Sequence, residues 1–239
     1  MRREHRRELK HDRFVDEIGT LSARARDNQR LLLTVTVAVV AAALLLYGYY
    51  FYRSTQEQRA QDALAAAIDT IDSPLLPAPG SQQQAAPGAK YKTEQERNAA
   101  AEKQFKDVEK KYGGTDAADV ANLYLARLDA GRGDVAGARK LLNAFISEHP
   151  KHVLVGSARF SLYQLRIENG EAAQVASELQ TEVNKTDPIL PADSLLILMA
   201  HAYDAQGNNQ KSKDAYRRIT TEFPDSPYAL EAQRRMGPA

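Results

Sequence analysis

A regular spacing of glycines organises the second half of the chain. Gly133, Gly170 and Gly207 lie 37 residues apart, and each separates two stretches whose apolar residues recur at helical intervals. Glycine commonly ends a helix and allows a tight turn, so each of these glycines predicts the junction within a helix pair. A repeat of this length indicates a solenoid, because a single helix pair cannot bury its own apolar face and must stack on its neighbours.

Other positions repeat in the same register. A small residue lets two helices approach closely, and a large apolar residue fills the space between them. The repeated small positions are Ala138, Val175 and Ser212, and the large apolar ones are Leu142, Leu179 and Tyr216. The register extends back to Ala101 and Phe105. Pro150 and Pro224 follow two of the second helices, where a residue that cannot continue a helix closes the unit.

These units resemble the tetratricopeptide repeat (TPR). The best copy runs from Asp193 to Pro224, and its signature positions are Met199, Ala200, Tyr203, Gly207, Ser212, Tyr216, Ile219 and Pro224. The middle unit departs from the signature at Tyr163, where a small residue is expected, and at Glu182, where an apolar one is expected. The resemblance implies an all-α fold, with a TPR-like α-solenoid of about three to four helix pairs over residues 93–239 and a C-terminal capping helix.

A long uncharged segment precedes the repeats. Residues 31–52 read LLLTVTVAVVAAALLLYGYYFY, and a helix of this length spans about 33 Å, enough for a hydrocarbon core of roughly 30 Å. Four tyrosines cluster at its C-terminal end, where an aromatic belt would lie. We therefore predict a transmembrane helix. A cleaved signal peptide is the nearest alternative, but its apolar region is normally about 7–15 residues after a short basic lead.

The basic residues around this segment predict its orientation. Residues 1–30 carry nine lysines and arginines, whereas residues 53–72 carry only Arg53 and Arg59. Because basic flanks stay in the cytoplasm, we expect a cytoplasmic N-terminus and a periplasmic or other extracytoplasmic repeat domain on a bacterial inner membrane. The basic segment either lies on the inner leaflet through a short apolar stripe or is a solvated tail. The stripe consists of Phe14, Val15, Ile18 and Leu21.

Two segments connect the membrane helix to the repeats. Residues 53–72 predict a juxtamembrane helix, and the Pro-, Gly- and Gln-rich residues 73–92 predict a flexible insert. The first helix that should precede Phe105 in the 37-residue register is missing, because the insert occupies its place. We therefore predict that residues 53–72 supply this helix and pair with residues 93–112. An independent stalk helix is the alternative.

The sequence offers no arrangement typical of catalysis. It contains no cysteine, which excludes disulfides, thiolate nucleophiles and cysteine-ligated metals. His149 and His152 are separated by Pro150, so they do not share a helical face, and no cysteine or trio of acidic residues accompanies them at metal spacing. The net charge of +1, without a basic stripe interleaved with aromatics, argues against nucleic acid. We expect no enzymatic activity, no cofactor and no metal.

The candidate functional surface is the concave groove formed by the first helices of the repeats. In the family register, the apolar row is Leu123, Phe160 and Ile197, and the polar row beside it is Arg127, Gln164 and His201. An apolar row beside a polar row suits an extended or helical peptide with hydrophobic anchors. Alternatively, the row is covered by the chain's own first helix or by the capping helix.

The whole arrangement resembles the YfgM family, on the stretch from Ala25 to Ile68 together with the repeats. Members of that family are ancillary subunits of the SecYEG translocon that act with periplasmic chaperones. The resemblance implies a membrane-anchored adaptor that mediates protein–protein interactions, with the export machinery or chaperones as partners. An envelope-assembly or division scaffold of the periplasmic TPR type is the alternative.

Overall fold

The computed structural model describes residues 29–80, 82 and 84–237. The stripe predicted around Phe14 lies outside these residues. The described helices are α1 Gln29–Ile71, α2 Glu94–Tyr112, α3 Asp116–Gly131, α4 Val135–Glu148, α5 Val155–Arg166, α6 Ala172–Glu182, α7 Ala192–Ala205, α8 Asn209–Glu222 and α9 Ala229–Met236, with a kinked turn at Ile167–Glu171. The prediction of an all-α chain is confirmed.

The described chain divides into two compact units between Gln56 and Glu57. The first unit contains the apolar part of α1. From Leu33 onward this helix is long and apolar enough to span a membrane, and its most apolar stretch is not buried. The Thr34 hydroxyl donates a hydrogen bond of 2.8 Å to the Arg30 carbonyl within the helix, which satisfies it without water.

The second unit is a row of helices in which each packs against the next. Neighbours along the chain contact one another from α2 through α9, and α5 also contacts α7. Contacts confined to near neighbours are the arrangement expected of a solenoid of helix pairs. Each pair buries its apolar face against the following pair rather than around one central core.

The repeated glycines turn the chain between the two helices of each pair. Gly133, Gly170 and Gly207 have φ angles of +86°, +87° and +70°, a region that side chains disfavour. Asp134 follows the first of them and its side chain accepts a hydrogen bond of 2.9 Å from the Gly137 amide, capping α4. After Gly170 no side chain caps α6, and the backbone leaves the helical conformation at Asn169 and Gly170. This difference is the structural counterpart of the weaker signature in the middle unit.

The repeated small and large residues lie in the interior of the unit. Those with relative exposure of 5% or less are Ala101, Phe105, Ala138, Leu142, Val175, Leu179, Ser212 and Tyr216. Tyr216 is large and polar, and its hydroxyl donates a hydrogen bond of 2.8 Å to Oδ2 of Asp204, while the Ser212 hydroxyl donates to Oδ1 of the same carboxylate. Burial and this carboxylate raise the pKa of Tyr216. The polar groups of the third pair are therefore satisfied inside the fold.

The last part of α1, residues 57–71, packs on α2 and α3. Ala67 has no exposed surface and lies in one apolar cluster with Ala101 and Phe105. The Glu57 carboxylate accepts hydrogen bonds of 3.0 and 3.2 Å from the amides of Asp116 and Ala117, which begin α3. These amides have no partner within their own helix, so a carboxylate at this position stabilises the helix terminus.

The two ends of the predicted insert are paired with each other. Leu75 and Tyr91 form a parallel bridge, and the Leu76 amide donates to the Tyr91 carbonyl at 2.8 Å. The Arg97 guanidinium also donates to the Ser73 carbonyl at 3.2 Å. The insert therefore begins and ends at the same place beside the helices, so that residues 57–71 and α2 can lie side by side.

Glu182 occupies a position where the repeat signature has an apolar residue, and its surroundings explain the exception. The side chain is buried, and its carboxylate accepts bonds from the Ile189 amide at 2.8 Å and the Lys185 ammonium at 2.5 Å. Both bonds lower the pKa of Glu182, the Lys185 bond most. The carboxylate thus closes the connection between α6 and α7.

Replacing Glu182 with leucine, the type of residue that the signature expects, should destabilise the unit. The Ile189 amide would lose its acceptor, and we expect a loss of about 1–2 kcal/mol in the free energy of unfolding at pH 7. A carboxyl whose pKa is lowered on folding stabilises the fold above its ordinary value and loses that contribution as the pH falls through the lowered value. The loss should therefore shrink below about pH 4. Urea unfolding at pH 7 and at pH 3 measures the loss of unfolding free energy. Glu148→Leu, at an exposed position, is the control. Equal losses for Glu182→Leu at both pH values would contradict a stabilising role of the ionised Glu182 carboxylate.

Candidate functional site

A cavity of about 450 Å³ opens between α3 and α5. Its apolar lining comes from Leu123, Ala126, Ala130, Leu142, Ala158 and Leu165, and its polar lining includes Arg127, Ser157, Ser161, Gln164 and Glu168. Pockets that hold ligands are usually concave and mostly apolar, with a few polar groups, and measure roughly 300–1,000 Å³. This cavity has that composition and size.

The repeat register explains why the cavity opens at this place. The residues at equivalent positions of the three first helices are Tyr124, Ser161 and Leu198. Tyr124 stacks on Phe105 with ring centroids 4.8 Å apart. Leu198 of α7 is fully buried and lies in one apolar cluster with residues of α6. The small side chain of Ser161 fills much less space at the middle position. The cavity therefore lies where the repeat lacks its large residue, a signal that was present in the sequence.

Three of the six predicted groove residues line this cavity. Leu123 and Arg127 project from α3, and Gln164 projects from α5. They belong to both predicted rows, so residues of the apolar and of the polar row lie around one cavity. The other three residues, Phe160, Ile197 and His201, contact the C-terminal segment.

The C-terminal segment covers the remaining part of the predicted groove. Ile197 was expected to line an open row, but it has no exposed surface, and it lies in one apolar cluster with Ala232 of α9. The Phe160 ring is stacked on Tyr228, which precedes α9, with centroids 6.0 Å apart. His201 Nε2 lies 2.8 Å from the Glu231 carboxylate. An open row at Ile197 is therefore wrong, and the alternative of coverage by the capping helix applies to the third unit.

The comparison with protein families agrees with this architecture. A family described as the tetratricopeptide repeat-like domain matches residues 29–232. The chain belongs to this family. The matched range begins with the first residue of α1 and ends within α9, so it includes the apolar helix as well as the repeats. No curated protein matches the chain.

Arg127 of this tetratricopeptide repeat-like domain borders a second cavity. That cavity, of about 910 Å³, is lined by the end of α1, the start of α2 and the end of α3, including Arg97 and Arg132. Arg132 pairs with Glu102 at 2.7 Å and Asp129 at 2.5 Å, and Arg97 pairs with Glu94 at 3.3 Å. Arg127 is exposed and, among the residues that the structure describes, makes no ion pair. Its guanidinium is thus available where the two cavities meet.

The histidines considered for metal binding take part in local contacts of the repeat domain. His149 Nε2 lies 3.2 Å from the Asp119 carboxylate, and His152 Nδ1 accepts a bond of 3.0 Å from the Leu154 amide. Burial raises the pKa of Asp119, although His149 opposes this effect. Within the described residues no group of three or more metal-ligating side chains occurs. The contact between His149 and Asp119 joins α3 to the end of α4.

Proposed function

We propose that the chain is a membrane-anchored adaptor whose repeat domain binds a segment of a partner protein in the cavity between α3 and α5. Membership in the tetratricopeptide repeat-like family suggests protein–protein interaction in general. The observation that carries the proposal is the cavity itself, because an apolar concavity with a polar rim is the feature that anchors a partner's side chain.

The membrane helix would hold this cavity at the extracytoplasmic face of a bacterial inner membrane. The nine basic residues before the helix favour a cytoplasmic N-terminus, and the uncharged length of α1 favours a retained anchor over a cleaved signal. The resemblance to the YfgM family favours the Sec translocon and periplasmic chaperones as partners. Confinement to the membrane raises the effective concentration of the domain, so modest affinity for such partners would suffice.

Residues 57–71 are proposed as the first helix of the first repeat. Ala60 and Ala67 are fully buried, and Glu57 binds the first amides of α3. The apolar cluster around Phe105 joins this segment to α2 and α3 in the way that a first helix contacts its own pair and the next one. These contacts support a helix that belongs to the solenoid rather than an independent stalk.

Site-specific photo-crosslinking in living cells tests the proposed function. A photoreactive amino acid at Gln164, which lines the cavity, should form adducts with the translocon channel or with periplasmic chaperones. The same amino acid at Gln180, an exposed glutamine of α6 outside the cavity, is the matched control and should form none of them. Adducts are identified by mass spectrometry after denaturing purification.

The identity of the adducts decides between the two candidate roles. Adducts from Gln164 with peptidoglycan or outer-membrane assembly proteins would replace the export role with that of an envelope scaffold. Equal adduct patterns from Gln164 and Gln180 would contradict the cavity as the binding site. Filling the cavity by Ser161→Leu should remove the Gln164 adducts while leaving the amount of membrane-inserted protein unchanged.

A further inference from the structure

The repeat domain offers few places where a partner could bury an apolar side chain. Outside α1, Val153 and Leu230 are the large apolar residues that the structure describes as exposed, and they lie on separate elements. They do not form a contiguous patch of the kind that marks a flat interface. The cavity between α3 and α5 is therefore the place where a partner's apolar anchor gains most from burial.

One cation and one anion line the cavity. Arg127 projects from the α3 wall, and Glu168 lines the cavity from the turn that follows α5. Arg97 and Arg132 already hold carboxylates of the fold, at Glu94 for the first and at Glu102 and Asp129 for the second. Of these three arginines, Arg127 alone lacks a carboxylate partner within the described residues. A carboxylate of a bound partner would give Arg127 an ion pair like those of Arg97 and Arg132.

We infer that the partner is an extended peptide segment that places one large apolar or aromatic side chain in the cavity and an adjacent Asp or Glu side chain against Arg127. This inference rests on the proposed function and names the chemistry of the segment that the cavity binds. A single guanidinium suits one side-chain carboxylate. Capture of a chain terminus would need further free donors, and the two nearby arginines are already paired.

Peptide binding to the full chain in lipid nanodiscs tests the inference. The first probe is the fluorescein-labelled peptide GSGSFEGSGS. Three variants replace its Glu with Gln, its Glu with Lys, or its Phe with Ala. Two further probes have the sequence GSGSF, one with a free and one with an amidated C-terminus. Fluorescence anisotropy measures each affinity. We expect the Phe–Glu probe to bind about tenfold more tightly than the Phe–Lys and the Ala–Glu probes, with the Phe–Gln probe between them.

Variants of the protein separate the two parts of the argument. Arg127→Glu should reverse the preference, so that the Phe–Lys probe binds more tightly than the Phe–Glu probe. Ser161→Leu places in the cavity the residue that the third repeat has at Leu198 and should weaken every probe about tenfold. Ser147→Leu makes the same change at an exposed position of α4 outside the cavity and should leave every affinity unchanged.

Each outcome has a defined meaning. If Ser161→Leu changes no affinity, or if no probe binds the wild-type chain, the cavity is not the binding site and the proposed function fails with the inference. If Ser161→Leu weakens binding but Arg127→Glu leaves the order of the probes unchanged, the cavity remains and the acidic preference is overturned. Tighter binding of the free C-terminal probe than of the Phe–Glu probe would overturn the choice of a side-chain carboxylate.

Discussion

Replacing Phe105 with alanine is expected to lower the free energy of unfolding of the repeat domain by about 3–5 kcal/mol. The ring has no exposed surface, stacks on Tyr124 and lies in the cluster that contains Ala67. Its removal would leave a void between residues 57–71, α2 and α3, and a closely packed interior closes such a void only in part. The contact between residues 57–71 and α2 should be the first to loosen.

Urea unfolding of the full chain in detergent, followed by circular dichroism, measures the loss. Hydrogen exchange measured by mass spectrometry should rise in residues 57–71 and in α2 more than in α7 and α8. Leu230→Ala, at a position that is 57% exposed, is the control and should change stability by less than about 0.5 kcal/mol. Unchanged exchange in residues 57–71 would mean that this segment is an independent stalk.

Ile197→Glu is expected to destabilise the third helix pair by more than about 4 kcal/mol. The side chain is fully buried in one apolar cluster with Ala200, Tyr216 and Ala232. A charged residue there must either lose its hydration or force α9 away from α7. In an open groove the same substitution would alter binding and leave the fold intact.

Limited proteolysis distinguishes these results. In Ile197→Glu, protease sites in α8 and α9 should become accessible at concentrations that leave the wild type intact. Ala205→Glu introduces the same charge at an exposed position at the end of the same helix and should behave as the wild type. Wild-type resistance of Ile197→Glu would show that this part of the concave face is open to solvent and that α9 does not cover it.

The fold could be predicted because its determinants are local and repeat. Glycines with positive φ angles at a fixed spacing mark the turns, and the residues five and nine positions later lie in the interior, so one unit predicts the next. The same register predicts that residues 53–72 supply the helix missing before Phe105, with an independent stalk helix as the alternative, and residues 57–71 share an apolar cluster with Phe105.

The exceptions arise where contacts between distant residues outweigh the repeat. Ile197 has the register of a groove residue, but the chain beyond α8 folds back and covers it, and no pattern within one unit contains that information. Glu182 contradicts the signature because its bond to Ile189 closes a connection specific to the middle unit. The predicted rows do not include Tyr124, Ser161 and Leu198, and the small residue at the middle one of these equivalent positions is the sequence signal of the cavity.

The bonds from Glu57 to the first amides of α3 determine where the chain can be truncated. A soluble fragment that begins at Glu57 keeps these two bonds and the buried faces of Ala60 and Ala67. A fragment that begins at Thr93, after the proline-rich segment, looks complete by its repeats but would expose the Phe105 cluster and invite aggregation. Residues 57–71 therefore belong in a fragment designed for crystallisation, although they continue the membrane helix without a break.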